Sequence, residues 1–371
     1  MADSSPSLWT PRTLTCSAGG VRAIGQLGTL ATLRDTGVLI HVRKWYGCSG
    51  GALTALMGVL GASSAWLRDA AEHFPTNVIG AIDHSLLADF WNAWGVNSGD
   101  ALVDCIACFV DTWEPGSSTW TFADLATKRP GHTLGFLTTA VSRGGPLLFS
   151  TETTPTVRIV DALRASMGIP VFYTPLSLQL NDGPPELFCD GFLCEYLPWD
   201  TCGLGSEIAS TLAIVTDDTT VANRNLAKPC NTFLEYVSQL LLVQSTARRR
   251  PTPSHWIAIN DTRWSGLSFD VTRADRLSLF EGGVAAAQGW LRFRSQVSSQ
   301  SQSLIAQQTT FPGGTSGSPL GSAHPNTLPH LHWPQAATWG TRSRWTCKGP
   351  GGPSPSRLSP PSAPSDRRWS L

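Results

Sequence analysis

Ser49 stands at the centre of a G-x-S-x-G segment whose other members are Gly47, Cys48, Gly50 and Gly51. In this pattern the small neighbours permit a sharp turn from a strand into a helix, and the turn exposes the serine hydroxyl. Because the hydroxyl then lies at a helix N-terminus, the helix dipole favours negative charge that develops beside it. The pattern predicts a nucleophile that attacks an acyl carbonyl. The plainer alternative is an ordinary N-cap serine.

A nucleophilic serine needs a base, and two arrangements fit this sequence. One is the chain order Ser-Asp-His of the α/β-hydrolases, which Ser49, Asp190 and His255 would supply. Those enzymes usually have several strands before the serine, whereas only one convincing strand precedes it here. The other is a Ser-Asp dyad, in which a carboxylate takes the hydroxyl proton directly. Asp190 is followed by Gly191 at a predicted strand end, so it is a candidate for either arrangement, although Asp-Gly is also a common turn dipeptide.

The segments around Ser49 alternate between strand and helix patterns. A short strand is predicted at 13–17, then a helix with apolar residues at helical spacing between 24 and 33, then a strand at 38–46, and a helix from Gly51. Strands and helices that alternate with tight turns are typical of a parallel sheet joined by crossovers. The sequence therefore predicts an α/β fold.

Later segments extend this pattern. The predicted helices are 85–113, 155–164, about 230–247, and one that begins after Thr272 with a capping box to Asp275. The predicted strands are 133–141 and 146–149, as a hairpin at the sheet edge, then 187–189, 212–216 and 255–260. The Trp- and Leu-rich face at 86–94 is predicted to lie in the core, with interfacial lipid contact as the alternative.

The charges divide unevenly along the chain. The 27 basic and 27 acidic residues cancel, which argues against a protein that works by neutralising nucleic-acid phosphates. From residue 296 onward there are six basic residues and one acidic residue, a net charge of +5, which leaves −5 for the rest. Because Pro, Gly and Ser dominate 296–371, we expect a disordered basic tail there. Residues 1–12 are predicted to be a flexible N-terminus and 13–295 a single catalytic domain.

Several compositional features favour a cytoplasmic protein. The nine cysteines are odd in number and scattered, which argues against a disulfide framework, and the single C-x-x-C at Cys105 and Cys108 lacks the partners of a zinc site. The N-terminus lacks the charged start and apolar run of a signal peptide. The uncharged stretch 45–67 is long enough to span a bilayer, but its turn-forming start and its serines and threonines favour a buried helix. We expect a cytoplasmic location with peripheral membrane contact.

Five segments in order resemble the patatin-like phospholipase family. They are the Gly-rich stretch 17–23, the G-x-S-x-G at 47–51, Thr-Phe-x-x-Leu at 121–125, Ala-Ser-x-x-x-Pro at 165–170 and Asp-Gly at 190–191. These core motifs cover about residues 13–200, and a weaker match extends to about 293. The resemblance implies a three-layer sandwich, in which helices flank a mostly parallel central sheet.

The resemblance also implies an activity and a role for each matching residue. It implies a serine acyl hydrolase that cleaves fatty-acyl esters of phospholipids or related glycerolipids, without calcium, metal or cofactor. Ser49 would be the nucleophile and Asp190 its base. The backbone amides of Gly19 and Gly20 would form the oxyanion hole, and Arg22 would support that loop or meet a phosphate.

Two departures from the family pattern bear on these roles. Ala18 replaces the first glycine of the Gly-rich loop, and His41, Arg43 and Lys44 make the strand before Ser49 unusually polar. An edge position or a shorter strand would explain that polarity. The alternative functions are a catalytically silent scaffold that binds lipid or protein, and a His-dependent esterase. The sequence leaves the oligomeric state, the ester position and the headgroup open.

Overall fold

The strands and helices of a computed structural model follow the predicted alternation. The model describes residues 9–181, 183–216, 236, 237, 240, 253–261, 263, 264 and 266–309, with 297–309 described as backbone only. All of them belong to one compact unit. The strands are β1 Thr13–Cys16, β2 Lys44–Cys48, β3 Gly95–Asn97, β4 Thr133–Ala140, β5 Gly145–Ser150, β6 Val171–Tyr173, β7 Leu176–Gln179, β8 Pro185–Asp190, β9 Thr211–Thr216 and β10 His255–Ile259. The helices are α1 Ala23–Asp35, α2 Gly50–Leu60, α3 Ser64–His73, α4 Thr76–Ile79, α5 His84–Ala88, α6 Phe90–Ala93, α7 Asp100–Trp113, α8 Phe122–Lys128, α9 Ile159–Ser166 and α10 Arg273–Thr309.

The central sheet is mixed and mostly parallel. Its strand order is β10-β9-β1-β2-β4-β8-β7, with β5 paired to β4 as a hairpin. The run from β10 to β4 is parallel, whereas β5, β8 and β7 join antiparallel. Every residue of α2 is buried, as its apolar sequence predicts. The α/β prediction, with a mostly parallel sheet flanked by helices, is confirmed.

Glycines bring the backbones of α1 and α10 into direct contact. A Cβ on Gly28 would lie 2.0 Å from Phe280 O, and a Cβ on Gly283 would lie 1.7 Å from Gly25 O. The Thr29 hydroxyl also donates to Gly283 O at 3.0 Å. Because no side chain separates the two helices at these points, α10 fixes α1 and with it the loop that precedes α1.

Strand β4 determines which chain segments meet at the end of β2. Its first half pairs with β2, where Leu137 is opposite Cys48. Its last three residues pair with β8, where Thr138 is opposite Asp190. Since Leu137 and Thr138 are consecutive, the chain just after Cys48 and the chain at Asp190 lie side by side.

The strand predicted at 38–46 is shorter than expected. Residues Val38–His41 form a 3₁₀ helix, and β2 covers only Lys44–Cys48. His41 and Arg43 therefore precede the strand, which explains its polarity. Of the two explanations, the shorter strand is correct and the edge position is wrong, because β2 lies between β1 and β4.

The prediction of a single helix over 85–113 is wrong. The segment divides into α5, α6, the strand β3 and α7, because Trp94 at φ 55° ends α6 and Gly99 at φ 82° precedes α7. The core prediction for 86–94 is also wrong, since α5 and α6 contain no buried residue. The helix predicted from Pro155 begins only at Ile159.

The outer boundaries also differ from the predictions. Trp9 stacks on His255 with ring centroids 3.8 Å apart, and Arg12 N–H donates to Ser210 O at 2.9 Å, so residues 9–12 belong to the folded unit. The capping box of Thr272 and Asp275 is present, but α10 continues to Thr309, past the boundary predicted at 295. The remaining predicted tail, 310–371, and most of 230–247 lie outside the described residues. Among the helices that the structure describes, none combines the length and hydropathy that crossing a membrane requires.

Candidate active site

Ser49 occupies a strained turn between β2 and α2. Its φ of 54° and ψ of −129° lie in a region that non-glycine residues rarely adopt. The neighbouring glycines make the turn sterically possible: a Cβ on Gly47 would lie 2.3 Å from Gly51 O, and a Cβ on Gly51 would lie 2.3 Å from Ser17 O. A Cβ on Gly50 would lie 2.5 Å from that of Ala23. The local geometry is the strand-turn-helix that the G-x-S-x-G pattern predicts.

The Ser49 hydroxyl donates a hydrogen bond to Asp190 Oδ2 at 2.7 Å. Asp190 is fully buried, and its other carboxylate oxygen accepts from Phe192 N–H at 3.0 Å. Burial disfavours the charged carboxylate and raises the pKa of Asp190 to about 7, against the opposing effect of those two hydrogen bonds. A carboxylate with a pKa near neutrality, in contact with a serine hydroxyl, can act as a general base.

Ser166 holds the Ser49 backbone, a role that its position in the sequence does not indicate. Its hydroxyl accepts from Ser49 N–H at 3.0 Å and donates to Leu137 O at 2.6 Å. Two residues on, Gly168 O accepts from Asp190 N–H at 2.8 Å. The one sequence signal for this residue is the Ala-Ser-x-x-x-Pro segment at 165–170, which contains Ser166.

A hydrogen-bond network orders the Gly-rich loop after β1. Ala18 N–H donates to Tyr196 O at 2.8 Å, and Ala18 O accepts from the Thr216 hydroxyl at 2.6 Å. Ala18 has no positive φ, so alanine replaces the family's glycine here without backbone strain. Gly20 does have a positive φ of 53°, and a Cβ on it would lie 2.0 Å from Gly266 O. A glycine is therefore required at 20 but not at 18.

The loop amides lie close to the Ser49 turn. Gly20 N is 3.6 Å from the position that a Cβ on Gly50 would occupy, and Gly20 lines the same cavity as Ser49. Gly19 is not among the residues that line this cavity. Arg22 is buried at the end of the loop and does not line the cavity either, which favours the support role over phosphate contact.

His255 does not reach Ser49. It lies on β10, three strands from β2, roughly 14 Å at about 4.8 Å per strand. Through the parallel pairings it is in register with Trp45, four residues before Ser49 and toward the opposite end of the sheet. The alternative triad of Ser49, Asp190 and His255 is therefore wrong, because strand order and register keep the histidine away from the serine.

An apolar cavity opens beside Ser49. Its lining includes Leu27, Leu53, Phe74, Leu102, Ile169 and Phe269. Ser49, Thr54, Thr76 and Tyr173 contribute its polar side chains. Among the described residues that line it there is no charged side chain and no histidine. A hydrocarbon chain fits such a lining, whereas an ionic substrate group would lose its hydration there without a partner.

One group of side chains in the described residues has metal-ligand spacing. Asp69, Glu72 and His73 lie on one face of α3, with ligand atoms within 4.8 Å of one another. Glu72 pairs with Arg273, and His73 Nδ1 lies 3.4 Å from Asp69. These partners account for the cluster, and none of the three lines the cavity at Ser49.

A family model described as patatin-like phospholipase matches residues 14–202, about half of the chain. No curated protein matches the chain by sequence. Similar solved structures include VipD from Legionella pneumophila, with 13% identity and a TM-score of 0.46 over 76% of this chain and 67% of that one.

Two further solved structures are similar over comparable lengths. ExoU, in a complex with SpcU from the type III secretion system of Pseudomonas aeruginosa, has 18% identity and a TM-score of 0.39 over 78% of this chain and 53% of that one. Human GIVD cytosolic phospholipase A2 has 11% identity and a TM-score of 0.42 over 78% of this chain and 60% of that one. This chain thus spans only about half to two thirds of the solved chains that it resembles.

Proposed function

We propose that this chain, which belongs to the patatin-like phospholipase family, is a serine hydrolase of fatty-acyl esters in phospholipids or related glycerolipids. Family membership supports lipid-acyl hydrolysis in general. One observation supports the finer proposal of a Ser-Asp dyad, the 2.7 Å hydrogen bond from Ser49 Oγ to a buried Asp190 carboxylate; we further propose that this dyad works without calcium. The apolar cavity beside it suits an acyl chain.

The proposed acylation step uses Asp190 as the proton carrier. Ser49 Oγ attacks the ester carbonyl carbon while Asp190 takes the hydroxyl proton. The carbonyl oxygen becomes an oxyanion, and the amides of Gly19 and Gly20 would donate to it; one such donor is worth roughly 10²–10³ in rate. The tetrahedral intermediate collapses, the alcohol leaves with the proton from Asp190, and acyl-Ser49 remains.

Deacylation repeats the same transfers with water. Asp190 takes a proton from a water molecule, which attacks the acyl-Ser49 carbonyl. Collapse releases the fatty acid and returns the proton to Ser49 Oγ. Because both steps need Asp190 as a carboxylate at the start and burial raises its pKa to about 7, we expect activity to be highest at and above neutral pH.

Labelling with a fluorophosphonate probe tests the proposal, because only an activated serine reacts with it. We expect the full chain to label and to hydrolyse a soluble p-nitrophenyl ester with EDTA present. Ser49→Ala should abolish labelling and lower hydrolysis by roughly 10³-fold or more.

Ser63→Ala is the matched control, since Ser63 is the N-cap of α3 and accepts from Trp66 N–H at 3.3 Å. This variant should label and turn over like the original chain. A folded chain that neither labels nor hydrolyses esters would instead be a silent scaffold. Turnover that EDTA abolishes would contradict calcium independence.

A further inference from the structure

Residues 78–94 form an exposed segment that we call the apolar lobe. The structure has twelve large apolar side chains exposed among its described residues, and five lie in this short stretch. They are Val78 at 49%, Ile82 at 43%, Leu87 at 52%, Trp91 at 85% and Trp94 at 55% exposed. Scattered single apolar residues are normal on a surface, whereas a cluster of this kind marks an interaction site.

Hydrogen bonds between the first residues of the lobe and the strands β3 and β6 hold it on the domain. Asn97 Nδ2 donates to Ala81 O at 2.6 Å, and the Tyr173 hydroxyl donates to Ile79 O at 2.8 Å. Asp83 N–H donates to Val96 O at 2.8 Å. Between these anchors, α5 and α6 bury no residue of their own. Ile79 and Phe90 pack against the core, whereas the five exposed side chains contribute little to the described fold and are free to be covered by a surface outside it.

The lobe is continuous with the wall of the cavity at Ser49. Helix α4 contributes Thr76 and Ile79 to the cavity lining, while Val78 on the same turn is half exposed. Gly80 continues this wall, because a Cβ there would lie 2.1 Å from the Phe269 side chain, which also lines the cavity. A surface that covers the lobe would thus lie next to the cavity.

The charges in and around the lobe indicate which kind of lipid surface it can contact. Between Phe74 and Gly99 there is no Lys or Arg, and the only acids are Asp83 and Asp89. Both carboxylates have local donors, Ser85 N–H for Asp83 and Asn92 Nδ2 for Asp89. An anionic surface would be repelled by these carboxylates. A zwitterionic surface meets no such repulsion, and exposed tryptophans suit its interfacial region.

We propose that the apolar lobe docks this chain on a zwitterionic lipid surface through Trp91, Trp94 and Leu87, which places the Ser49 cavity at that surface. The proposal names a docking surface for the lipid hydrolase proposed above and rests on that function for its biological meaning. The binding itself needs no catalysis. Each large apolar side chain that leaves water strengthens the association by roughly tenfold or more.

Flotation of the full chain with phosphatidylcholine vesicles tests the proposal. We expect the unaltered chain to float, and Trp91→Ser with Trp94→Ser to lower the partition coefficient by about tenfold or more. The matched control is Ile40→Ser with Trp256→Ser, which removes two side chains that are 66% and 46% exposed outside the lobe. This control should float like the original chain. Added salt, or replacement of part of the lipid with phosphatidylserine, should not strengthen binding.

The other possible occupants of the lobe give different results. Equal loss in the lobe and control variants, no flotation of the original chain, or a preference for anionic vesicles would overturn the proposal. So would a dimer that only the lobe variant dissociates, or flotation that appears only after residues 310–371 are removed. Hydrolysis of a soluble ester should be unchanged in the lobe variant, so failure of docking is distinguishable from failure of the proposed chemistry.

Discussion

The Ser49 corner, which consists of Ser49, Asp190, Ser166 and the glycines of the turn, and the apolar lobe differ in how their side chains are packed. At the corner, Ser49, Asp190 and Ser166 are buried, and each is joined to another chain segment by a hydrogen bond. In the lobe, α5 and α6 contain no fully buried residue, and Trp91 and Trp94 are 85% and 55% exposed. Packing thus fixes the positions of the Ser49, Asp190 and Ser166 side chains, whereas much of the lobe's apolar surface stays open to contact. We therefore expect substitutions at the corner to change chemistry and folding, and substitutions in the lobe to change only association.

The largest expected effect concerns the base. Asp190→Asn removes the proton acceptor from Ser49, and we expect ester hydrolysis to fall by roughly 10²–10⁴-fold. In the original chain Asp190 is protonated below its pKa of about 7, so kcat/KM should fall tenfold per pH unit below that value and level off above it. A profile that stays flat down to pH 5 would show that Asp190 is not the titrating base. The lobe variant should retain the original profile.

A steric change at the corner should have the next largest effect. The Cβ of Gly51→Ala would lie 2.3 Å from Ser17 O and 2.7 Å from Cys16 O, so we expect the free energy of unfolding to fall by roughly 1–3 kcal/mol or more. Gly205→Ala is the matched control, because no atom lies within 4 Å of its Cβ position. Chemical denaturation should show changes of about 0.5 kcal/mol or less for this control and for Leu87→Ser in the lobe. A lobe substitution that destabilised as much as Gly51→Ala would remove the contrast between the two regions.

The smallest expected effect concerns the positioning residue. Ser166→Ala leaves the buried Ser49 N–H without its acceptor, and we expect kcat to fall by about tenfold with KM little changed. The rate of fluorophosphonate labelling should fall by a similar factor, because the same hydroxyl reacts. Ser166→Thr keeps the hydroxyl and should recover most of the loss. A higher KM at unchanged kcat would assign Ser166 to substrate binding instead.

The sequence was most informative where a function depends on neighbouring residues. The turn at Ser49 requires small residues on both sides, so the sequence pattern of Gly47, Gly50 and Gly51 predicted it. The capping box of Thr272 and Asp275 was equally local. Where the pattern depended on tertiary burial, the predictions failed. Leu87, Trp91 and Trp94 have the composition of a core helix, and no local rule indicates that they are exposed.

Chain order alone left two candidates for the base, and the sheet brings only one of them to Ser49. Asp190 and His255 were both candidates, separated from Ser49 by 141 and by more than 200 residues. The pairing of Leu137 with Cys48 and of Thr138 with Asp190 brings the carboxylate to the serine, while the order of the parallel strands places His255 three strands away. The contact of Ser166 with Ser49 could likewise not be predicted from the sequence, because the two residues are 117 positions apart in the chain.

The sequence by itself determined the α/β alternation, the strained serine turn and the family, since these depend on hydrophobic period and on residues that are adjacent in the chain. Only the tertiary structure decided which carboxylate meets Ser49, what supports its backbone and which tryptophans face water. Those outcomes depend on strand order and register, which join residues that are far apart in the chain. The desolvation that raises the pKa of Asp190 to about 7 likewise exists only once the sheet and its helices enclose that carboxylate.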